Sequence, residues 1–376
     1  MKKITALLIA MVMALGVLLT GCGSSNTKNN TSNNTGEKVQ DEKKTVKVGF
    51  VYVGPIGDGG WTDAHNNGRL YLEEQLGVET IYKENVKEEI SEVQSVVENM
   101  IDEGANVIIG TSFGHMDGIE LSAKEHPDVT FMHCSGYKSA DNMSNYFGKQ
   151  YQGRYLSGIA AALANKNNKI GYVAAYEIPE VIRQINAFTL GAQSINPDVE
   201  VEVVWTHTWY DPALEKQAAE ALIAKGVGLI TQHQDTTGPQ QAAEEAGLFS
   251  IGCDIDMEAA APNAYLTGVV WNWGPYLVKE VQKVIDGTWE AGSYWENMTN
   301  EDDSMVVVTP ITKNAPEGTQ EKVDAAMDEM LAGKKVFVGP IKDQNGEVKV
   351  AEGVELTDKD LLEMNWFVQG VKGIIE

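Results

Sequence analysis

Polar and aromatic side chains follow several apolar, strand-like runs of the sequence. They comprise aromatic rings, carboxylates and neutral hydrogen-bonding groups. A planar heteroaromatic ligand needs this mixture, because its faces stack on rings and its rim needs donors and acceptors. The candidate ligand-binding residues are Asp58, Gly60, Trp61, Ser112, Phe113, Ser135, Gly136, Tyr176, Gln234, Asp235, Asp254 and Trp271.

The first of these sets lies in a glycine-rich segment, residues 54–62. Glycines let the backbone approach a ligand, and free N–H groups at a helix start can donate to it. Trp61 adds a flat apolar face, although a tight turn with Trp61 packed in the core is the alternative. The segment is not a dinucleotide fingerprint, because Thr62 stands at the third glycine position.

Residues 110–114, Gly-Thr-Ser-Phe-Gly, fit the nucleophile elbow of serine hydrolases and lie between a strand and a helix. Such an enzyme needs a later histidine, for which His207 and His233 are available, but nothing around either marks it as a catalytic base. We therefore interpret Ser112 as a ligand donor or a loop residue, and keep a secreted hydrolase as the alternative.

Two further candidates also have structural interpretations. Asp254 follows a strand and could equally cap a helix. Trp271 and Trp273 follow a predicted crossing between domains, and Trp205 and Trp209 lie around a strand end. At least half of these rings are expected to pack in the core, and Trp271 is the one we favour for the ligand cleft.

Apolar periodicity predicts alternating strands and helices, which is typical of parallel, doubly wound sheets. The first series has strands at residues 46–53, 78–82, 107–110 and 129–133, and helices at 61–76, 88–103 and 116–124. After a polar segment at 140–145, the second series has helices at 151–164, 179–195, 213–225 and 239–246, and strands at 169–174, 201–206, 228–231 and 249–252. Two tandem α/β lobes follow, and ligands of such sheets bind beyond the carboxyl ends of the strands.

The later elements are expected to pass between the lobes. Because adjacent lobes often exchange late elements, we assign a strand at 266–270 and a helix at 275–285 to the first lobe. An alternative division places the crossing at residue 271. Lobe 1 is then 46–146 plus 271–304, and lobe 2 is 147–270 plus 305–376. In this division the strand at 266–270 belongs to lobe 2. A strand at 306–309, a helix at 317–331 and a hairpin around Asn345-Gly346 complete the chain.

The first residues predict export and a lipid anchor. Lys2 and Lys3 precede an apolar run that is shorter than the roughly 20 residues of a spanning helix. Residues 1–21 are thus a signal peptide ending in a lipobox, and Cys22 is the predicted lipidated first residue of the mature chain. Residues 22–45 are rich in Ser, Asn, Thr and Lys and should form a flexible tether. The protein should lie outside the cytoplasm and contact the membrane through this lipid alone.

The net charge and the cysteine and histidine content indicate which partners, cross-links and metals to expect. Loss of residues 1–21 takes the formal charge from -25 to -27, which argues against nucleic acid as a partner. Cys134 and Cys253 are expected to be buried free thiols, although a disulfide is possible. The histidines and cysteines lack zinc spacing, and we expect neither metal nor cofactor.

Several segments together resemble the basic membrane protein family, the substrate-binding lipoproteins of ABC transporters related to bacterial purine nucleoside receptors. They are the lipobox and residues 57–61, 186–192, 252–254, 338–341 and 364–366. The resemblance runs from about residue 46 to the carboxyl terminus. It implies a type I periplasmic-binding-protein fold with two lobes, three hinge crossings, a clamshell motion, a purine ligand and an ABC permease as partner.

The sequence departs from the family pattern at two positions. An Asn-Asp pair followed by an aromatic falls on Gly57, Asp58 and Trp61, so the Asn is absent. The ribose-binding aspartate falls on Asp254, and a lysine near the last crossing falls on Trp271. These changes remove polar contacts to a sugar, so a nucleobase such as adenine is favoured over a nucleoside. A sugar ligand and a sensing lipoprotein that signals to a receptor remain alternatives.

Overall fold

The computed structural model describes residues 45–375. The predicted signal peptide (1–21), the predicted lipidated Cys22 and, apart from Thr45, the predicted tether (22–45) lie outside these residues. Between residues 45 and 375, no helix is both long enough and apolar enough to cross a membrane.

Strands and helices alternate through the first third of the described chain. The elements are β1 (Lys47–Val51), α1 (Trp61–Leu76), β2 (Glu79–Lys83), α2 (Ile90–Asp102), β3 (Val107–Gly110), α3 (Met116–Glu125), β4 (Thr130–Cys134) and β5 (Met143–Gly148). All residues of β3, β4 and β5 are buried, as expected for parallel strands that are covered on both faces.

The alternation continues through the rest of the chain. The next elements are α4 (Gln150–Ala164), β6 (Lys169–Ala174), α5 (Pro179–Ile195), β7 (Glu200–Trp205), α6 (Pro212–Ala224), β8 (Leu229–His233), α7 (Gly238–Glu245), β9 (Phe249–Asp254), β10 (Tyr265–Trp271) and α8 (Trp273–Ile285). The last are β11 (Ser293–Glu296), β12 (Val306–Val308), α9 (Thr319–Leu331), β13 (Ile341–Lys342), β14 (Val348–Val350), α10 (Asp358–Leu362) and β15 (Val371–Lys372).

The strands form two large sheets, which confirms the predicted tandem α/β architecture. The first sheet has the order β11-β5-β4-β3-β1-β2, and all its pairs are parallel. The second has the order β12-β10-β9-β8-β6-β7-β15, and only the β10–β12 pair is antiparallel. We call each sheet with its packed helices a lobe. The predicted hairpin is also confirmed, because β13 and β14 pair antiparallel around Gly346.

The chain passes between the sheets three times. The crossings follow β5, β10 and β11, since α4 packs on the second lobe, α8 packs against α1 of the first, and β12 pairs with β10. Phe147, Trp271 and Trp273 lie at the first two crossings, and their rings contact one another. All three rings also contact Trp61, which lines the site described below.

Three features of the predicted fold are wrong. Residues 143–145, assigned to a polar segment, begin β5, whose polar side chains are buried because neighbouring strands cover it on both sides. The strand at 266–270 belongs to the second lobe, where β10 pairs with β9, which contradicts its assignment to the first lobe and agrees with the division at residue 271. The short elements β11, α10 and β15 were not predicted, because two to five residues carry too little periodicity.

Candidate ligand-binding site

A narrow cavity of about 20 Å³ lies between the lobes at the carboxyl ends of their strands. The first lobe contributes Val53, Trp61, Ser112, Phe113 and Ser135 to its lining. The second lobe contributes Glu180, Trp209, His233, Asp235 and Asp254. The structure thus brings six of the predicted residues together: Trp61, Ser112, Phe113, Ser135, Asp235 and Asp254.

Trp61 is held in place from several sides. Its indole Nε1 donates to the carbonyl oxygen of Thr111 at 2.9 Å. Its ring lies edge-on to His65, Trp271 and Trp273, with centroid distances of 4.7, 5.9 and 6.1 Å. These contacts leave one part of the ring to the cavity, so Trp61 is a rigid apolar wall.

Asp58 organises the loop before α1 and does not line the cavity. Its carboxylate accepts the backbone N–H groups of Gly60, Thr62 and Asp63 at 2.9, 2.7 and 3.0 Å. Burial raises the pKa of Asp58 to about 6, although these N–H donors lower it. The side chain satisfies donors that the first turn of α1 leaves open, so Asp58 acts as a loop and helix cap.

Gly60 is the place where the two lobes touch. A Cβ atom on Gly60 would meet the carbonyl oxygen of Asp235 and lie 2.7 Å from its carbonyl carbon. The neighbouring Gly59 faces Thr237 of the second lobe, with a Cβ position 3.3 Å from the Thr237 methyl group. Only a glycine at position 60 lets the backbones of the two lobes come this close.

Ser112 pairs with a carboxylate. Its Oγ donates to Oε1 of Glu88 at 2.5 Å, and the N–H of Gly114 donates to the same oxygen at 3.0 Å. The histidines considered for a triad have other neighbours: His207 lies 3.5 Å from Glu177, and His233 lies 3.6 Å from Glu180. Among the described residues, no histidine bonds to the Ser112 hydroxyl.

The second-lobe wall is acidic. Asp254 is buried, and its Oδ1 accepts from Trp271 Nε1 at 2.9 Å and from the Cys253 thiol at 3.0 Å. Asp235 is also buried, but its Oδ2 has no hydrogen-bond partner within residues 45–375. Burial and the carboxylates of Asp58 and Asp254 raise the pKa of Asp235 well above its ordinary value. Burial likewise raises the pKa of Asp254, although His233 opposes this.

Two lining residues have unusual backbone conformations. Ser135 and Asp254, which follow β4 and end β9, have φ angles of +64° and +67°. Residues other than glycine rarely adopt this left-handed region, and such residues cluster at ligand-binding and active sites. Both residues line the cavity, so these conformations occur at the candidate site itself.

The other predicted residues lie around the cavity. Trp271 is 6% exposed and stacks on Trp273 at 4.3 Å, so it supports Asp254 from behind instead of forming a wall. Tyr176 packs against Trp209, 5.1 Å away. Gln234 is buried in the second lobe, where its amide donates to Thr206 and Thr208. Gly136 lines a neighbouring groove of about 660 Å³ that shares Phe113, Ser135 and Glu180 with the cavity.

The candidate set omitted Val53, Glu180, Trp209 and His233. His233 ends β8, and Val53 and Trp209 lie in loops after β1 and β7, so the carboxyl-end rule covers all three. Glu180 lies in the first turn of α5 and would have needed that rule to be extended by one helical turn. Cys134 and Cys253 are buried free thiols, as predicted.

Comparison with known proteins identifies the family. The model for ABC transporter substrate-binding proteins of the PnrA-like Bmp family matches residues 45–330. The chain belongs to this family. A purine-binding protein of Brucella abortus is 42% identical over 332 residues, covering 88% of this chain and 93% of that protein. A candidate glucose-binding protein of an ABC transporter from Haloferax volcanii is 36% identical over 336 residues, 88% of this chain and 82% of its own length.

Solved structures confirm the fold expected for the Bmp family. An ABC transporter solute-binding protein from Aeropyrum pernix superposes with a TM-score of 0.66 over 79% of this chain and 93% of its own, at 20% identity. The predicted periplasmic-binding-protein fold with two lobes is therefore confirmed. The chain is an ABC transporter substrate-binding protein of the Bmp family.

Proposed function

We propose that this protein captures a purine base, with adenine as the favoured ligand and a nucleoside as the second, in the cavity between its lobes. The carrying observation is the composition of that cavity: rings from both lobes and buried hydrogen-bond acceptors on one side. An ABC permease would then recognise the ligand-bound form. The purine-binding relative from Brucella abortus supports the same ligand class.

Aromatic rings on opposite lobes suit a flat ligand. Trp61 and Phe113 come from the first lobe, and Trp209 comes from the second. A base between them gains contacts to both lobes only when the lobes are close together. Differential affinity of this kind is what shifts a two-lobed protein towards its closed arrangement.

The contact between Gly60 and Asp235, which we call the seam between the lobes, favours a base over a nucleoside. Gly60 lies against the backbone of Asp235, so the two lobes already touch at this edge of the cavity. Position 271, where the resemblance places a family lysine, carries a tryptophan that donates to Asp254. The aspartate expected to bind ribose is thereby already engaged with the protein, which supports the smaller ligand.

The anchor and the location form part of the proposal. Lipidation of Cys22 after removal of residues 1–21 would hold the protein at the outer face of the cell membrane. The tether at 22–45 would then let the lobes reach the permease.

A sugar is the second candidate ligand, because the Haloferax volcanii relative is named for glucose and tryptophans also stack on sugars. A sugar needs hydrogen bonds around its whole rim. With Trp61, Phe113 and Trp209, the lining of this cavity is more apolar than polar. We therefore place a sugar after a purine.

Calorimetric titration of ligand-stripped protein with adenine, guanine, adenosine, inosine and glucose tests the proposal. Tight binding of a base, with weaker binding of its nucleoside, is the expected result. Tight binding of the nucleosides alone, or of glucose alone, would refute it. Mass spectrometry of the small molecule that co-purifies gives an independent identification.

The hydrolase and the sensor need separate tests. Ester hydrolysis that is present in the purified protein and lost in Ser112→Ala would support the hydrolase. We expect none, because the Ser112 hydroxyl bonds to Glu88. A sensor would use the same clamshell, so deletion of the gene for this protein decides: purine uptake should stop if the protein serves transport.

A further inference from the structure

Asp235 is a buried acid without a partner. It is 4% exposed and lines the cavity, and within residues 45–375 nothing donates a hydrogen bond to its Oδ2. Buried polar groups are nearly always hydrogen-bonded, and an unpaired one is costly. The carboxyl group of Asp235 therefore lacks a hydrogen-bond partner that residues 45–375 could supply.

The neighbouring acids differ from Asp235 in this respect. Asp254 accepts hydrogen bonds from Trp271 and Cys253, and Glu180 lies 3.6 Å from His233. No lysine or arginine lines the cavity within the described residues. Asp235 is thus the acid that a ligand is best placed to satisfy.

The backbone of Asp235 lies at the contact between the lobes. It lies against Gly60 so closely that a single added methyl group at Gly60 would clash with it. Asp235 is therefore held in place at the edge of the cavity that it lines.

We propose that Asp235 determines specificity by accepting the imidazole N–H of a free purine base, the N9–H of adenine. This inference deepens the proposed function and rests on it. A base carries the N–H, whereas a nucleoside has a glycosidic bond at the same nitrogen. One residue would thereby provide both affinity for the base and discrimination against the nucleoside.

The test compares ligands that differ at one nitrogen. Wild-type protein is titrated with adenine, 9-methyladenine and N6-methyladenine. We expect 9-methyladenine to bind about 10- to 100-fold more weakly than adenine, which corresponds to about 1.4 to 2.8 kcal/mol. N6-methyladenine should keep most of the affinity. The inference is overturned if 9-methyladenine binds as tightly as adenine.

Variants at position 235 complete the test. Asp235→Leu removes the acceptor while keeping the branched shape of the side chain, and should bring adenine and 9-methyladenine to nearly equal affinity. Asp235→Asn keeps one acceptor oxygen and should lose less, so it serves if the leucine variant fails to fold. Asp343→Asn is the matched control, because Asp343 is a buried acid in the β13–β14 hairpin.

The outcomes separate the two proposals. If wild-type protein binds no purine, the proposed function fails. If adenine binds tightly but both Asp235 variants keep its affinity and its preference over 9-methyladenine, the role of Asp235 fails and the function stands.

Discussion

Substitution of Gly60 by alanine should weaken ligand binding, because this residue lets the lobes meet. The added Cβ would meet the carbonyl oxygen of Asp235 and lie 2.7 Å from the carbonyl carbon. Non-bonded carbon atoms prefer separations of about 3.5–4.0 Å, so the seam must open by about 1 Å. In the open arrangement Gly60 and Asp235 separate, so the strain falls on closure.

The size of the effect follows from the cost of overpacking, typically about 1–3 kcal/mol. Since the ligand gains its contacts to both lobes only on closure, this cost reduces the favourable free energy of ligand binding. The Kd for adenine should rise roughly 5- to 150-fold, at 1.4 kcal/mol for each factor of ten. Titration calorimetry gives the Kd, and small-angle scattering with excess adenine should show incomplete closure.

Gly77→Ala is the matched control at the other end of α1. Gly77 has a φ of +65° and open space around it, so an alanine there costs about 1 kcal/mol of folding stability without touching the seam. Its melting temperature should fall while its Kd stays at the wild-type value. Wild-type affinity in Gly60→Ala would refute the reasoning.

Two further predictions follow from the structure and a third from the sequence. Trp209→Ala removes one ring of the cavity and should weaken adenine binding by about 1–3 kcal/mol in calorimetry; an unchanged Kd would contradict stacking. His65 is buried, neither of its ring nitrogens has a hydrogen-bond partner in the described part of the chain, and burial lowers its pKa to about 3. The unfolded state therefore takes up the proton first, so stability is lost as pH falls from about 6.5 towards 3. In denaturant titrations at several pH values, the free energy of unfolding should fall with decreasing pH by up to about 1.4 kcal/mol less per pH unit in His65→Phe than in the wild-type protein. The same pH dependence in both proteins would contradict this prediction. Cys22→Ser should move the protein from the membrane to the soluble fraction, whereas retention at the membrane would rule out this anchor.

Much of the fold could be predicted from the sequence, because local signals mark the element ends. The bounds of α1 and α5 match the prediction, since Gly77 ends one helix and Pro179 begins the other. β5 was missed because its Ser144 and Asn145 are typical of a loop. Their burial depends on strands far along the chain, which periodicity does not detect.

The site was predictable to the level of strand ends but not of side-chain direction. Asp235 and Asp254 were found because parallel strands end at one edge of a sheet. Trp271 was expected in the cleft, but its indole N–H bonds to Asp254 and its ring stacks on Trp273, which draws it behind the cavity. The direction of the Trp271 side chain therefore depends on Asp254, which is 17 positions away in the sequence.

A crystal structure of the ligand-stripped protein soaked or grown with adenine tests the central claim most directly. The account predicts adenine between the rings of Trp61, Phe113 and Trp209, with a ring N–H within hydrogen-bond distance of Asp235 and both lobes in contact at Gly60. Adenine bound elsewhere, or a cavity left empty at saturating adenine, would contradict it.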